Sequence, residues 1–213
     1  MSRSQKIVES PCTRYMQWSS ENGEFKYWDK QAEENVSVPL PIRFVVLDEL
    51  TSMKGYDEKS KGGIWSNEIR DLKKQELTVR TKDGAIAEGK YEDIKEDVTS
   101  RGGKYTRSLY VAMENSEGEL EVQNLQLSGA AFSGWLDFTK KAKRRIYTEA
   151  VKCTGFRSEK KGKVTYTVPE FELDNSITEE ENERAKELDS ELQAYLDFYF
   201  NKPKEIEKEG ADY

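Results

Sequence analysis

Six aromatic residues stand in strand-like stretches of this chain with cations close by: Trp18, Tyr27, Trp28, Trp65, Tyr105 and Tyr110. The cations are Arg70 and Lys73 after Trp65, Arg80 in the next apolar run, and Lys104 and Arg107 on either side of Tyr105. Rings and cations in alternation suit a single-stranded nucleic acid. Bases stack on the rings, at about 1–3 kcal/mol per base, while the cations follow the phosphates. Because alternate residues of a strand share one face, several such pairs can build one platform. The competing reading of any single ring is ordinary core, and Trp135, on a helical apolar stripe, belongs there.

A second group is basic. Lys140, Lys141, Lys143, Arg144 and Arg145 close a helical segment, and Arg157, Lys160, Lys161 and Lys163 follow around a turn. Cations at a helix C-terminus complement its dipole, which accounts for the first cluster but not for the hairpin tip. Phosphate contact is the alternative for both. A third group is acidic: Glu170, Glu172 and Asp174 alternate along one strand and would suit a Mg-dependent nuclease. Gly62-Gly63 and Gly102-Gly103-Lys104 lack the spacing of a phosphate loop and read as turns.

Composition narrows the options. The chain has 213 residues, no His and two Cys, Cys12 and Cys153, without metal-binding spacing. His-dependent triads and the usual zinc sites are therefore excluded, and no cofactor is expected. Two thiols in a reducing compartment is the expected state. No apolar run is long enough to span a membrane and no apolar signal core begins the chain, so a cytoplasmic protein is expected. The formal charge of −7 is unevenly spread. Residues 174–213 hold 13 acidic and 5 basic residues, a net of −8, whereas 140–163 hold 10 basic and 2 acidic, a net of +8. Such polarity fits a polyanion at one place and a cationic partner at another.

The elements that must position these residues are mostly strands. Thr13–Trp18 and Glu24–Asp29 flank the turn Ser20–Gly23. Ile42, Phe44 and Val46 against Val45 and Leu47 predict a central strand within 36–50, followed by a polar excursion over 51–63. Asp83-Gly84 marks a two-residue hairpin. Residues 91–98 form a short helix; 104–127 form a hairpin with Tyr105, Leu109 and Val111 on one face and Tyr110 and Ala112 on the other. Phe132, Trp135, Thr139, Ala142 and Ile146 draw a helical stripe. A last hairpin surrounds 158–162, and the capping box at Thr178 to Glu181 opens a helix carrying Ala185, Leu188, Leu192, Tyr195 and Tyr199, closed by Pro203. The fold class is mainly β with added helices (α+β), an antiparallel OB-like barrel plus a C-terminal helix. Its body is 1–173, and 174–213 is an acidic helix and tail.

The β body with aromatic and basic strands and an acidic C-terminus ending in Tyr213 resembles the bacteriophage single-stranded DNA-binding proteins. The stretches IRFVVLDEL, GGIWSNEIR, AEGKYEDIKEDV and GGKYTRSLYVA carry the resemblance across about residues 12–173. It implies a non-enzymatic protein that binds single strands without sequence preference in phage DNA replication, repair and recombination, in the host cytoplasm. Tyr27, Trp28, Trp65, Tyr105 and Tyr110 would then stack on bases, and Arg70, Lys73, Arg80, Lys104 and Arg107 would meet phosphates. The acidic terminus would contact replication proteins, although Lys202, Lys204 and Lys208 interrupt it. The alternatives are a protein-interaction module, such as a virion or host-takeover factor, and the nuclease.

Overall fold

The computed structural model describes residues 8–174 and 177–201. The Pro203 helix stop and the charged tail with Lys202, Lys204 and Lys208 lie outside the described residues. Among the described residues eleven strands make one sheet: β1 (Arg14–Ser19), β2 (Glu24–Asp29), β3 (Glu34–Val38), β4 (Ile42–Asp57), β5 (Gly62–Ser66), β6 (Leu77–Thr81), β7 (Gly84–Gly89), β8 (Gly103–Glu114), β9 (Leu120–Ser128), β10 (Ala150–Lys161) and β11 (Val164–Asp174). They are accompanied by the helices α1 (Tyr91–Ser100), α2 (Gly129–Ala142) and α3 (Glu179–Asn201). A 3-10 turn, Lys143–Tyr147, continues α2, so the predicted stripe reaches Ile146 through a change of helix type.

The strand order is β3-β2-β1-β9-β8-β4-β5-β6-β7, with β10 and β11 branching from the start of β4. The sheet is mixed, because β1 runs parallel to β9; an all-antiparallel barrel is corrected on that point. Most of the body separates these two strands in sequence, so no tight turn dictates their relative direction. The ladder is also open rather than closed. The β10–β11 hairpin reaches the Ser20 turn by isolated bonds only: the Thr167 amide and hydroxyl donate to the Ser20 carbonyl at 2.7 and 3.0 Å, and the Trp18 indole donates to the Thr167 carbonyl at 3.1 Å.

β4 is the axis, and it is longer than expected. Residues 51–57, read as a polar excursion, continue the strand and pair with β8 on one side and β5 on the other. Gly55, Gly102 and Gly103 make that continuation possible. A Cβ on Gly55 would stand 2.3 Å from the Gly102 carbonyl, and Gly102 itself has φ +97° with its own hypothetical Cβ 2.3 Å from the Tyr56 carbonyl. Only glycine allows this approach.

Cores lie on both faces of the sheet. On one face Phe44, Val46, Leu109, Val111 and Leu125 pack under Trp135 and Phe138 of α2, and Met53, Ile64 and Val79 pack under Ile94 and Val98 of α1. On the other face Val45, Leu50, Tyr110, Ala112 and Val122 meet Ala185, Leu188, Leu192 and Leu196 of α3. Burying these residues of one helix contributes several kcal/mol, at roughly 1.5–3 kcal/mol for a fully buried leucine side chain. The Thr178 capping box forms as expected, the Glu181 amide donating to the Thr178 hydroxyl at 3.1 Å. Arg43 fastens the same end by donating to Asp174 at 2.9 Å and to both oxygens of Glu181.

Candidate nucleic-acid interface

Parity along β8 divides the anticipated binding residues. Lys104, Thr106, Ser108 and Tyr110 point to the α3 face, while Tyr105 and Arg107 point to the α2 face. Among the described residues α3 covers only one end of its face. Where it stops, four side chains from four neighbouring strands fall into one register row: Lys104 of β8 opposite Lys54 of β4, Lys54 opposite Trp65 of β5, and Trp65 opposite Arg80 of β6. At one inter-strand spacing each, the row is about 14 Å long.

The chemistry of this row is unusual for a structural surface. Lys54 and Lys104 are directly opposed like charges, an arrangement that costs stability. Among the described residues no carboxylate lies within ion-pair distance of Lys54, Lys104 or Arg80. Burial pushes the Lys54 ammonium below its ordinary pKa, opposed by the nearby Glu68 carboxylate. Trp65 is half-buried and contacts no other ring among the described residues. An aromatic ring with cations on both sides and no internal partner is what a phosphate-and-base ligand needs.

The remaining anticipated residues do not join the row. Tyr105 sits on the α2 face between two rings, Tyr91 at 5.5 Å and Phe132 at 4.9 Å, with its hydroxyl 3.1 Å from that of Thr51. Arg107 pairs with Glu49 at 3.5 Å and lies over the Tyr105 ring. Tyr110 is buried, and its hydroxyl donates to Glu68 at 2.7 Å. Glu68 also accepts from Ser108, and burial raises its carboxyl above the usual carboxylate range. Arg70 holds α3 in place: it pairs with Asp48 at 2.7 Å, donates to Gln193 at 3.1 Å and lies over the Phe200 ring. Lys73 is exposed in the turn after Arg70, with its amide on Asp71.

Tyr27 packs on the α2-side core with the Arg14 guanidinium over its ring, 5.1 Å away. Trp28 is 56% exposed, on the α3 face but near the opposite end from Trp65, beside Tyr15 by alternation from the Met16–Tyr27 pair. Thus Trp65, Arg80 and Lys104 come together, Trp28 shares their face at a distance, and Tyr27, Tyr105, Arg107, Tyr110, Arg70 and Lys73 stand elsewhere. Lys54 went unnoticed in the sequence. Its signal is the alternation Ser52, Lys54, Tyr56 against Met53, which continues the period of the strand before it.

Among the described residues no group of three His, Cys, Asp or Glu is arranged to hold a metal ion. Of the alternating strand acids, Asp174 is engaged by Arg43 and Lys152. No helix among the described residues is long and apolar enough to cross a membrane. Comparison with protein-family models, with curated proteins and with solved structures finds no match for this chain.

Proposed function

We propose that this protein binds single-stranded DNA without sequence preference and without catalysis, on the end of the α3 face that no described helix covers. The observation that carries the reading is the row Lys104, Lys54, Trp65 and Arg80, in which three cations without carboxylate partners among the described residues flank one available ring. Phosphates would lie on the cations and a base on the indole. Nothing in such a row reads a base edge, so the affinity is sequence-tolerant and strongly salt-dependent. A phage role in replication, repair and recombination, and the OB-like kinship, belong to the same proposal. The β10–β11 hairpin supports that kinship by bridging to the Ser20 turn where a closed barrel would form its last ladder.

A second partner is favoured by α3, whose exposed Glu180 and Glu191 offer negative charge to a cationic protein such as a replication factor, while Glu183 and Glu187 between them pair with Lys186 and Arg184. Titrating tryptophan fluorescence with oligothymidine at several salt concentrations tests the main reading. Quenching whose midpoint weakens steeply with salt is expected; no quenching, or binding indifferent to salt, refutes it.

A further inference from the structure

The basic cluster after α2 plays no part in the row, and it stands on the other face of the sheet. Lys140 and Lys141 occupy the last turn of α2, where the helix dipole accounts for them, and Lys140 also lies 3.8 Å from Asp137. Arg145 pairs with Glu149. Lys143 is the C-cap of α2 and Arg144 follows it in the 3-10 turn; both are exposed and without a carboxylate partner among the described residues. Lys143 moreover holds φ +55°, a backbone region that favours glycine.

Beside them Tyr147 is 52% exposed. Its hydroxyl lies towards the half-buried Glu49, which pairs with Arg107 at 3.5 Å. An exposed ring in the same short turn as two cations without carboxylate partners repeats the chemistry of the sheet row.

We infer that Lys143, Arg144 and Tyr147 form a second contact for the same single strand, used only by strands long enough to leave the sheet row and pass to the α2 face. This inference rests on the proposed function. Glu49 lies five residues from Lys54 along β4, about 17 Å at ~3.3 Å per residue, so a short oligonucleotide on the row does not reach the ridge. A long one does.

The test compares the full chain with K143G/R144Q, using fluorescein-labelled oligothymidines of about eight and about thirty nucleotides, within and beyond one site of ~4–16 nucleotides. Glycine suits φ +55°, so the variant is expected to fold at least as stably as the parent. Affinity for the long strand should fall about tenfold and its salt slope by about 1.4, at ~0.7 for each phosphate no longer neutralised. Affinity for the short strand should stay within about twofold. Unchanged long-strand affinity, or equal weakening at both lengths, overturns the ridge and leaves the sheet reading intact. A parent chain that binds neither oligonucleotide overturns both. Binding that survives removal of the row cations but not of the ridge overturns the sheet reading and, with it, the ridge as a second contact.

Discussion

Replacing the three row cations together, K54M/R80Q/K104Q, separates binding from folding better than any single change. None of the three lies within ion-pair distance of a carboxylate among the described residues, but Lys54 attracts the buried Glu68 nearby, and K54M removes that attraction. Removing the opposed Lys54 and Lys104 charges relieves a repulsion of about 0.2–1 kcal/mol. The two effects oppose each other, so the variant should unfold close to the parent's denaturant midpoint. Its binding should suffer. Each phosphate neutralised on a single strand contributes ~0.7 to the slope of log affinity against log salt, so three fewer lower the slope by about 2. W65A should cost about 1–3 kcal/mol, one stacked base, and W65F much less. Fluorescence anisotropy of a labelled oligothymidine reads affinity and slope, and intrinsic fluorescence reads Trp65. Trp135 is buried, Trp18 is bonded through its indole to Thr167, and Trp28 stands at the other end of the face. Quenching should thus disappear in W65F while binding persists. An unaltered slope in the triple variant, or undiminished quenching in W65F, would refute the assignment of the row.

The remaining predictions concern the frame around that row. Arg101 beside Asp57 holds that carboxyl down at about 2, below its ordinary 3.8. The folded state therefore prefers the ionised form. The stability this contributes is fully present above about pH 4 and is lost as pH falls towards 2, a window that urea midpoints should show flattened in D57N. Arg43 joins β4 to Asp174 and to Glu181 of α3. R43M takes the guanidinium away from both carboxylates, and a destabilisation of about 1–3 kcal/mol is expected, with faster hydrogen exchange confined to α3; equal exchange throughout the chain would contradict a local clamp. Y105F removes a hydroxyl that meets Thr51, on the face away from the row, so oligothymidine affinity should not change.

What was legible in the sequence was mostly what is local. A two-residue hairpin formed where Asp83-Gly84 marked one, although the turn is Lys82-Asp83 and Gly84 (φ +118°) opens β7 opposite Thr81, and Thr178 capped its helix with Glu181, because turn and cap chemistry depend on residues a few positions apart. The parallel β1–β9 pair was not legible, since it joins strands separated by most of the body. The end of β4 was hidden for a different reason. Hydrophobic alternation marks a strand only where both faces, or one whole face, are covered. From Lys54 to Tyr56 no helix among the described residues packs on the α3 face, the residues turn polar, and the run resembles a loop although the ladder continues.

The same reason explains the candidate site. Strand alternation already placed Tyr105 and Arg107 on one side and Lys104 and Tyr110 on the other, so they never formed one platform. Alternation cannot say which side is open, or where along it the cover ends. Tyr110 and Lys104 share a face, yet Tyr110 lies among the residues packed by α3 and Lys104 lies past them. Six positions along β8, about 20 Å of strand at ~3.3 Å each, separate a buried phenol from an exposed ammonium. Position relative to the end of α3, rather than residue type, decides which aromatic and basic residues are free to meet a ligand. Trp65 and Arg80 meet that condition through their register with Lys54, and Arg70, spent on holding α3 itself, does not.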